Sequence, residues 1–328
     1  MTHDDGDPTG AAPSPSRNTS PQRWRFTWLG LTVALLLQAG LTLLLYPSAA
    51  SWVAQYNQSN IVFDQAKINA GQAKATIDAR IDAAHEYNGL LQSGALYAGG
   101  SSLAEGVGVS GADLNYWELL KSPPTNSLAR LRIASIDVDL PVYHGTSDDV
   151  LVKGLGHLQG TSLPVCGEGT RAVLTGHRGL ASATLFTNLD KVEPGDRFTI
   201  EVVGRVLTYE VVEIKVIDPD ETEEIRPVIG RDLVTLVTCT PLGINTQRIL
   251  VTGERVLPTP PADVASAGAR PEIPGFPWWV IGYGAGTGLA WVWFWRSGRA
   301  GRPDLGLVER RELRGGIGPC RDVLQHDA

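Results

Sequence analysis

The sequence predicts a mainly β fold: a closed β-barrel of seven to eight short strands, with an N-terminal helical stalk and two transmembrane helices. Three observations predict it. Short β-branched and apolar runs separated by turn residues recur through residues 128–257. Uncharged apolar runs, long enough to cross a bilayer, occupy residues 28–46 and 276–295. Residues 47–92 have the composition of one long helix or two helices in series.

Turn residues bound the predicted strands of the barrel. Residues 198–203 and 206–214 flank Gly204 and Arg205, and a glycine in a two-residue connection is typical of a β-hairpin. The other predicted strands lie at 131–133, 136–142, 171–176, 233–238 and 248–256.

The remaining segments differ from the barrel in composition. Residues 93–127 are rich in glycine and serine, and an irregular segment of this length is usually functional or disordered. Residues 258–275 form a linker rich in proline and alanine. Residues 1–27 and 296–328 are polar tails that could not bury a core.

Positive charges predict the orientation of the chain in the membrane. Arg25 precedes the first apolar run, and Arg296 and Arg299 follow the second. The positive-inside rule therefore places both termini in the cytoplasm and the barrel outside the cell. An alternative is a cleaved signal peptide, because Ser48 and Ala50 have the small-residue spacing of a cleavage site.

Composition excludes several classes of partner and cofactor. A net charge of −7 without a long basic run gives no footprint for nucleic acid. Cys166, Cys239 and Cys320 form neither a disulfide framework nor a CxxC-type zinc site, so we expect no metal and no other cofactor. We interpret Cys166 as a free bystander thiol, the alternative being an oxidation partner of Cys239.

The residues that could carry chemistry are placed at strand ends. Cys239 ends an apolar strand directly before Thr240 and Pro241, so its thiol is expected at a barrel rim. Arg248 begins the next strand, and a turn-rich connection brings it close to Cys239. Its fork of donors could hold an oxyanion, and its charge would favour a thiolate.

A cysteine, a histidine and an oxyanion donor are the minimum set for acyl transfer through a thioester. His144, His157 and His177 all lie near glycines in the predicted barrel, and the pattern alone does not choose among them.

Several motifs together resemble the sortase family. Residues 235–241, Thr-Leu-Val-Thr-Cys-Thr-Pro, resemble the sortase signature, and residues 175–179, Thr-Gly-His-Arg-Gly, resemble its histidine segment. The resemblance extends over roughly residues 131–256 and is strongest to class C, the pilus-assembling sortases, which typically carry a second membrane helix.

The resemblance implies a cysteine transpeptidase with Cys239 as nucleophile, His177 as general acid and base, and Arg248 as oxyanion stabiliser. It implies cleavage of a Leu-Pro-x-Thr-Gly sorting signal after threonine and transfer of the acyl group to a pilin lysine. His144 and His157 fall outside the catalytic set and are interpreted as structural.

The chain departs from the class C pattern at three places. The family's lid carries Asp-Pro-aromatic, whereas the nearest residues in the candidate lid segment of this chain, residues 93–127, are Asp113, Tyr116 and Trp117. Gln247 stands where the family often has histidine, and Cys166 where glycine is usual.

Three other functions remain open at this point. One is a housekeeping sortase that anchors surface proteins to the cell-wall precursor. The others are a hydrolase and a catalytically silent surface-binding module.

Overall fold

The computed structural model describes residues 24–92, 115–271 and 274–299. The chain divides into two compact units. One is Leu43–Ile281, which contains the barrel, and the other combines Met1–Thr42 with Gly282–Ala328.

Eight strands and five α-helices are formed within the described residues. The strands are β1 Ala129–Ile133, β2 Val138–His144, β3 Leu155–His157, β4 Thr170–Thr175, β5 Arg197–Val202, β6 Arg205–Ile217, β7 Asp232–Thr240 and β8 Gln247–Arg255. The helices are α1 Trp28–Ala70, α2 Lys74–Gln92, α3 Asp148–Leu151, α4 Pro261–Ala265 and α5 Trp278–Ser297.

The predicted closed β-barrel is confirmed, and its strands follow the order β1-β2-β3-β4-β7-β8-β6-β5. Two pairs, β2 with β3 and β4 with β7, are parallel, and the other neighbours are antiparallel. β3 was not predicted, because a strand of three residues that contains Gly156 shows no alternation to detect. The parallel β4–β7 pair places the end of β4, which precedes His177, beside the end of β7, which contains Cys239.

The predicted hairpin between β5 and β6 is confirmed, but its turn lies one residue earlier than expected. The connecting residues are Val203 and Gly204, with φ of 48° and 82°. Positive φ at both central positions matches the right-handed twist of the flanking strands, so Arg205 is left to begin β6.

The barrel interior is packed with aromatic and branched side chains. Phe198 and Tyr209 stack with ring centroids 5.5 Å apart, and both are fully buried. Gly253 on β8 lies directly against these rings, and a Cβ there would collide with Phe198. A larger residue at Gly253 would therefore displace the aromatic pair.

The predicted stalk is two helices in series, and the second helix packs on the barrel. α1 continues through Pro47 to Ala70, and α2 follows after a short turn. The buried side chain of Asn88 accepts from Leu163 N at 2.7 Å and donates to Leu163 O at 3.0 Å. Arg80 donates to Lys121 O at 2.9 Å. Residues 74–92 thus belong to the barrel's own structure.

In the other unit, the N-terminal part of α1 and most of α5 lie side by side. Gln38 Nε2 donates to Tyr283 Oη at 2.7 Å, and a Cβ on Gly286 would lie 2.6 Å from Leu41 Cδ2. Within the part of the chain that the structure describes, α1 is the one helix that passes a length-and-hydropathy test for a membrane span. A signal sequence would also pass this test.

Candidate active site

Cys239 and Arg248 face each other across the β7–β8 ladder. Their Cα atoms are register partners, next to the pair formed by Thr240 and Gln247 at the end of the hairpin. The Cys239 side chain is half-buried, because the last residues of β7 reach the rim of the barrel. Cys239 and Arg248 are therefore adjacent across the ladder, as the turn-rich connection between their strands predicted.

The β7–β8 loop holds the guanidinium of Arg248. Its Nη1 donates to Asn245 O at 3.0 Å and to Gln247 O at 2.9 Å. The loop can turn back in this way because Gly243 and Asn245 adopt positive φ of 82° and 61°. These two hydrogen bonds tie the Arg248 side chain to the loop that follows Cys239.

The parallel pairing of β4 with β7 brings His177 to the same rim. Thr175 is the register partner of Val237, and Gly176 N donates to Val237 O at 3.1 Å. Thr238 Oγ1 donates to Gly176 O at 2.8 Å. His177 directly follows Gly176, and Cys239 directly follows Thr238, so the two residues come immediately after this hydrogen-bonded pair.

The backbone at His177 is also held from the other side. Phe186 N donates to His177 O at 3.1 Å. Gly176 lets the chain approach closely, because a Cβ there would lie 2.6 Å from Leu155 Cδ2 and 2.7 Å from Phe186 Cδ2. The glycine in the Thr-Gly-His motif thus permits the close packing of the chain directly before His177.

His144 and His157 have a different environment. Both are buried, and His144 Nε2 lies 2.8 Å from Leu119 O while His157 Nε2 lies 2.9 Å from Ser162 O. Burial lowers the pKa of each imidazole to about 4. They are therefore neutral, and each Nε2–H donates to its carbonyl, as expected of structural histidines.

Two comparisons with known proteins bear on this arrangement. Residues 131–256 match the family described as the Sortase domain. The solved structure "Sortase C1 of GBS Pilus Island 1" is 39% identical, with a TM-score of 0.55 over 62% of this chain and 93% of that one. The chain belongs to the sortase family of cysteine transpeptidases.

Other sortases align over the same region. Sortase C from Streptococcus pneumoniae is 35% identical, with a TM-score of 0.54 over 62% of this chain and 99% of that one. Sortase D of Bacillus subtilis is 33% identical over 129 residues, which are 38% of this chain and 62% of the relative. Sortase A of Bacillus anthracis is 27% identical and is covered over 60% of its length. The chain thus spans less than two thirds of these two curated relatives.

Of the three expected lid residues, the structure describes Tyr116 and Trp117. Asp113 lies outside the described residues. Tyr116 is buried, with its Oη 2.9 Å from His157 Nδ1, and it accepts from Gly145 N at 3.1 Å. Because His157 Nε2 carries the ring proton, the Tyr116 hydroxyl donates to Nδ1.

Trp117 is 47% exposed, and its ring edge lies against Gly145. Together with Tyr116 it packs beside His144, the last residue of β2. The segment of residues 115–121, called here the Tyr116 segment, is thus fastened to the β2 and β3 strands.

Arg178 is a residue at the site that the sequence analysis did not single out. Its Nη1 donates to Thr240 Oγ1 at 3.0 Å, and its Nη2 lies 2.6 Å from Asp190 Oδ2. The sequence feature that could have identified Arg178 is its place directly after the histidine in the Thr-Gly-His-Arg-Gly motif.

Cys166 is far from Cys239. It precedes Gly167, whose N donates to Asp232 Oδ2 at the start of β7, whereas Cys239 lies at the end of that strand. Seven residues of strand separate those positions by roughly 23 Å, too far for a disulfide. Both cysteines are free thiols, and burial raises the pKa of Cys166.

No three His, Cys, Asp or Glu side chains converge as a metal site in residues 24–92, 115–271 and 274–299.

Proposed function

We propose that this sortase cleaves a Leu-Pro-x-Thr-Gly-type sorting signal after threonine and transfers the acyl group to an amine, the side chain of a pilin lysine. The observation that supports it most directly is the direct pairing of Cys239 with Arg248 beside the exit of β4, where His177 lies. The structural relatives support the pilin acceptor, since one is a sortase C1 of a pilus island.

The proposed reaction has two acyl-transfer steps. The Cys239 thiolate attacks the threonine carbonyl carbon, and Arg248 donates to the oxyanion that forms. The C–N bond then breaks, and protonated His177 gives its proton to the leaving glycine amine. The incoming amine attacks the thioester, His177 accepts its proton, and the thiolate leaves as the new amide forms.

Membrane attachment is part of the proposal. We propose that residues 28–46 of α1 and residues 276–295 anchor the enzyme, with both termini cytoplasmic and the barrel outside the cell. The contact between Gln38 and Tyr283 supports this pairing, because a hydrogen bond between helices satisfies polar groups that lipid would leave unpaired. We also propose that residues 93–127 form a lid, since the Tyr116 segment fastens their end to the barrel rim.

The test uses the full-length chain in detergent with a Leu-Pro-x-Thr-Gly peptide, followed by intact mass. We expect an acyl adduct on the wild-type enzyme and on Cys166→Ser, but none on Cys239→Ser. A lysine-bearing pilin fragment should then capture the acyl group.

Other outcomes of the same test support other functions. Capture by a cell-wall precursor amine and not by the pilin lysine would identify a housekeeping sortase. Release by water alone, even with amine present, would indicate a hydrolase. The absence of any adduct, also after deletion of residues 93–112, would indicate a binding module that has lost the chemistry.

A further inference from the structure

The neighbours of His177 are hydrogen-bonded to the neighbours of Cys239. The residue before His177 is bound by Thr238, as described above. The residue after it, Arg178, donates to Thr240 Oγ1 at 3.0 Å. The chain segments that carry His177 and Cys239 are therefore hydrogen-bonded to each other on both sides of these two residues.

The guanidinium of Arg178 is engaged in three directions. Nε donates to Thr187 O at 3.2 Å, Nη1 to Thr240 Oγ1, and Nη2 pairs with Asp190. The Arg178 side chain is only 10% exposed, so its buried charge would be destabilising without these partners. The Arg178 guanidinium thus connects the loop that follows β4 to residues 187–190 and to the end of β7.

We infer that Arg178 is a positioning residue for the transfer reaction, which sets the distance between His177 and Cys239; this inference rests on the function proposed above. Arg178 holds the His177 loop onto Thr240 and acts through the imidazole. A displacement of about 1 Å at a catalytic group can reduce turnover by about 10²-fold.

Geometry and charge make different demands on this position. Arg178→Lys keeps a positive charge for Asp190, but one ammonium cannot donate in three fixed directions. Thr240→Val removes the acceptor hydroxyl without changing any charge, whereas Thr240→Ser retains it. If Arg178 positions His177, the lysine and valine variants are impaired and the serine variant is not.

The first experiment measures transfer by the full-length enzyme from the sorting peptide to the lysine acceptor. We expect Arg178→Lys and Thr240→Val to lower kcat by about 10- to 100-fold with KM for the peptide little changed. Thr240→Ser should retain wild-type kcat. The matched control is Arg197→Lys, because Arg197 pairs with Glu210 on the β5–β6 hairpin, away from the site. Its kcat should equal that of the wild type.

The second experiment does not depend on any substrate. Iodoacetamide alkylation of Cys239 is followed by peptide mass in the wild type, Arg178→Lys, His177→Ala and the double variant. An adjacent imidazolium promotes thiolate reactivity, so both single variants should react more slowly. If Arg178 acts through His177, the double variant reacts at the same rate as His177→Ala.

Either of two results would overturn the inference: wild-type alkylation in Arg178→Lys, or losses that multiply in the double variant. If the wild type forms no acyl adduct with the peptide, the proposed function fails, but the alkylation cycle still decides the positioning role. Thermal unfolding of each variant, compared with Arg197→Lys, separates loss of fold from loss of position.

Discussion

Arg248 is held by carbonyl groups of its own loop, and this sets what a substitution there would change. Nη1 donates to Asn245 O and Gln247 O, and Arg248 is the register partner of Cys239. A lysine could keep the charge but could not reproduce the planar fork of donors of a guanidinium.

We therefore predict that Arg248→Lys lowers kcat/KM for acyl transfer by about 10²- to 10³-fold, the usual cost of removing an oxyanion donor. Single-turnover formation of the thioester is the measurement. Arg226→Lys is the matched control, since Arg226 is exposed and its side chain pairs with Glu223, three residues earlier in the chain. Near wild-type turnover in Arg248→Lys would remove Arg248 from the oxyanion role.

How far the site could be predicted depends on the separation of its residues along the chain. Cys239 and Arg248 belong to consecutive strands, so a turn-rich connection was enough to predict their proximity. His177 reaches them through a pairing between residues 62 positions apart, which no local pattern encodes. The sequence pattern alone left three histidines open, and burial of His144 and His157 in the structure distinguishes them from His177.

At the scale of elements, the exit of β4 depends on close packing at Gly176. A methyl group there would press against Leu155 and Phe186, both fully buried. Overpacking of this kind costs roughly 1–3 kcal/mol and shifts the backbone.

We predict that Gly176→Ala lowers the thermal-unfolding midpoint of the full-length chain and slows thioester formation, because the His177 loop is displaced. Gly89→Ala is the control, since a Cβ at this position of α2 meets nothing within 4 Å. Alanine there should leave stability unchanged or raise it. Equal behaviour of the two variants would contradict the packing role of Gly176.

The Tyr116 segment adds a pH dependence to the barrel. His144 binds the carbonyl of Leu119 and His157 binds the hydroxyl of Tyr116, and burial lowers the pKa of both imidazoles from 6.5 to about 4. Protonation therefore favours the unfolded chain. The stabilisation is complete above about pH 6.5 and is lost as the pH falls towards 4.

We predict that the thermal-unfolding midpoint decreases as the pH is lowered from about 7 to about 5. By about pH 4, each imidazole lowers the free energy of unfolding by up to roughly 3 kcal/mol. The double variant His144→Gln, His157→Gln should show a flatter dependence over this range, because neither amide titrates. A wild-type midpoint that is unchanged or higher near pH 5 would contradict this account.

The elements themselves were predictable where pattern and turn chemistry agreed. The alternation in β5 and β6 predicted the hairpin, but positive φ at Val203 moved its turn by one residue. A branched residue is unfavourable in that conformation, so propensity favoured Gly204 and Arg205 as the turn. The twist of the two strands determined the outcome instead.

At the scale of the whole molecule, the proposed topology can be tested with a native cysteine. Cys320 follows the second apolar run, whereas Cys166 and Cys239 lie in the barrel unit. A chain with Cys166→Ser and Cys239→Ala leaves Cys320 as the one thiol.

We predict that a membrane-impermeant maleimide labels this variant only after the cells are permeabilised. The control is a chain with all three cysteines replaced and Val264→Cys, at an exposed position in the linker, which should react on intact cells. Labelling of Cys320 on intact cells would contradict a cytoplasmic C-terminus.

The parallel pairing of β4 with β7 also has a consequence for the order of folding. A hairpin of consecutive strands closes a short loop, whereas β4 meets β7 only after the intervening chain has been ordered. We expect the thiol and the guanidinium to meet early during folding, and the imidazole to join them only when the barrel closes. Under the proposed function, a chain newly delivered to the cell surface would therefore hold a nucleophile that cannot yet turn over. Sorting signals would then be spared by any enzyme that has not finished folding.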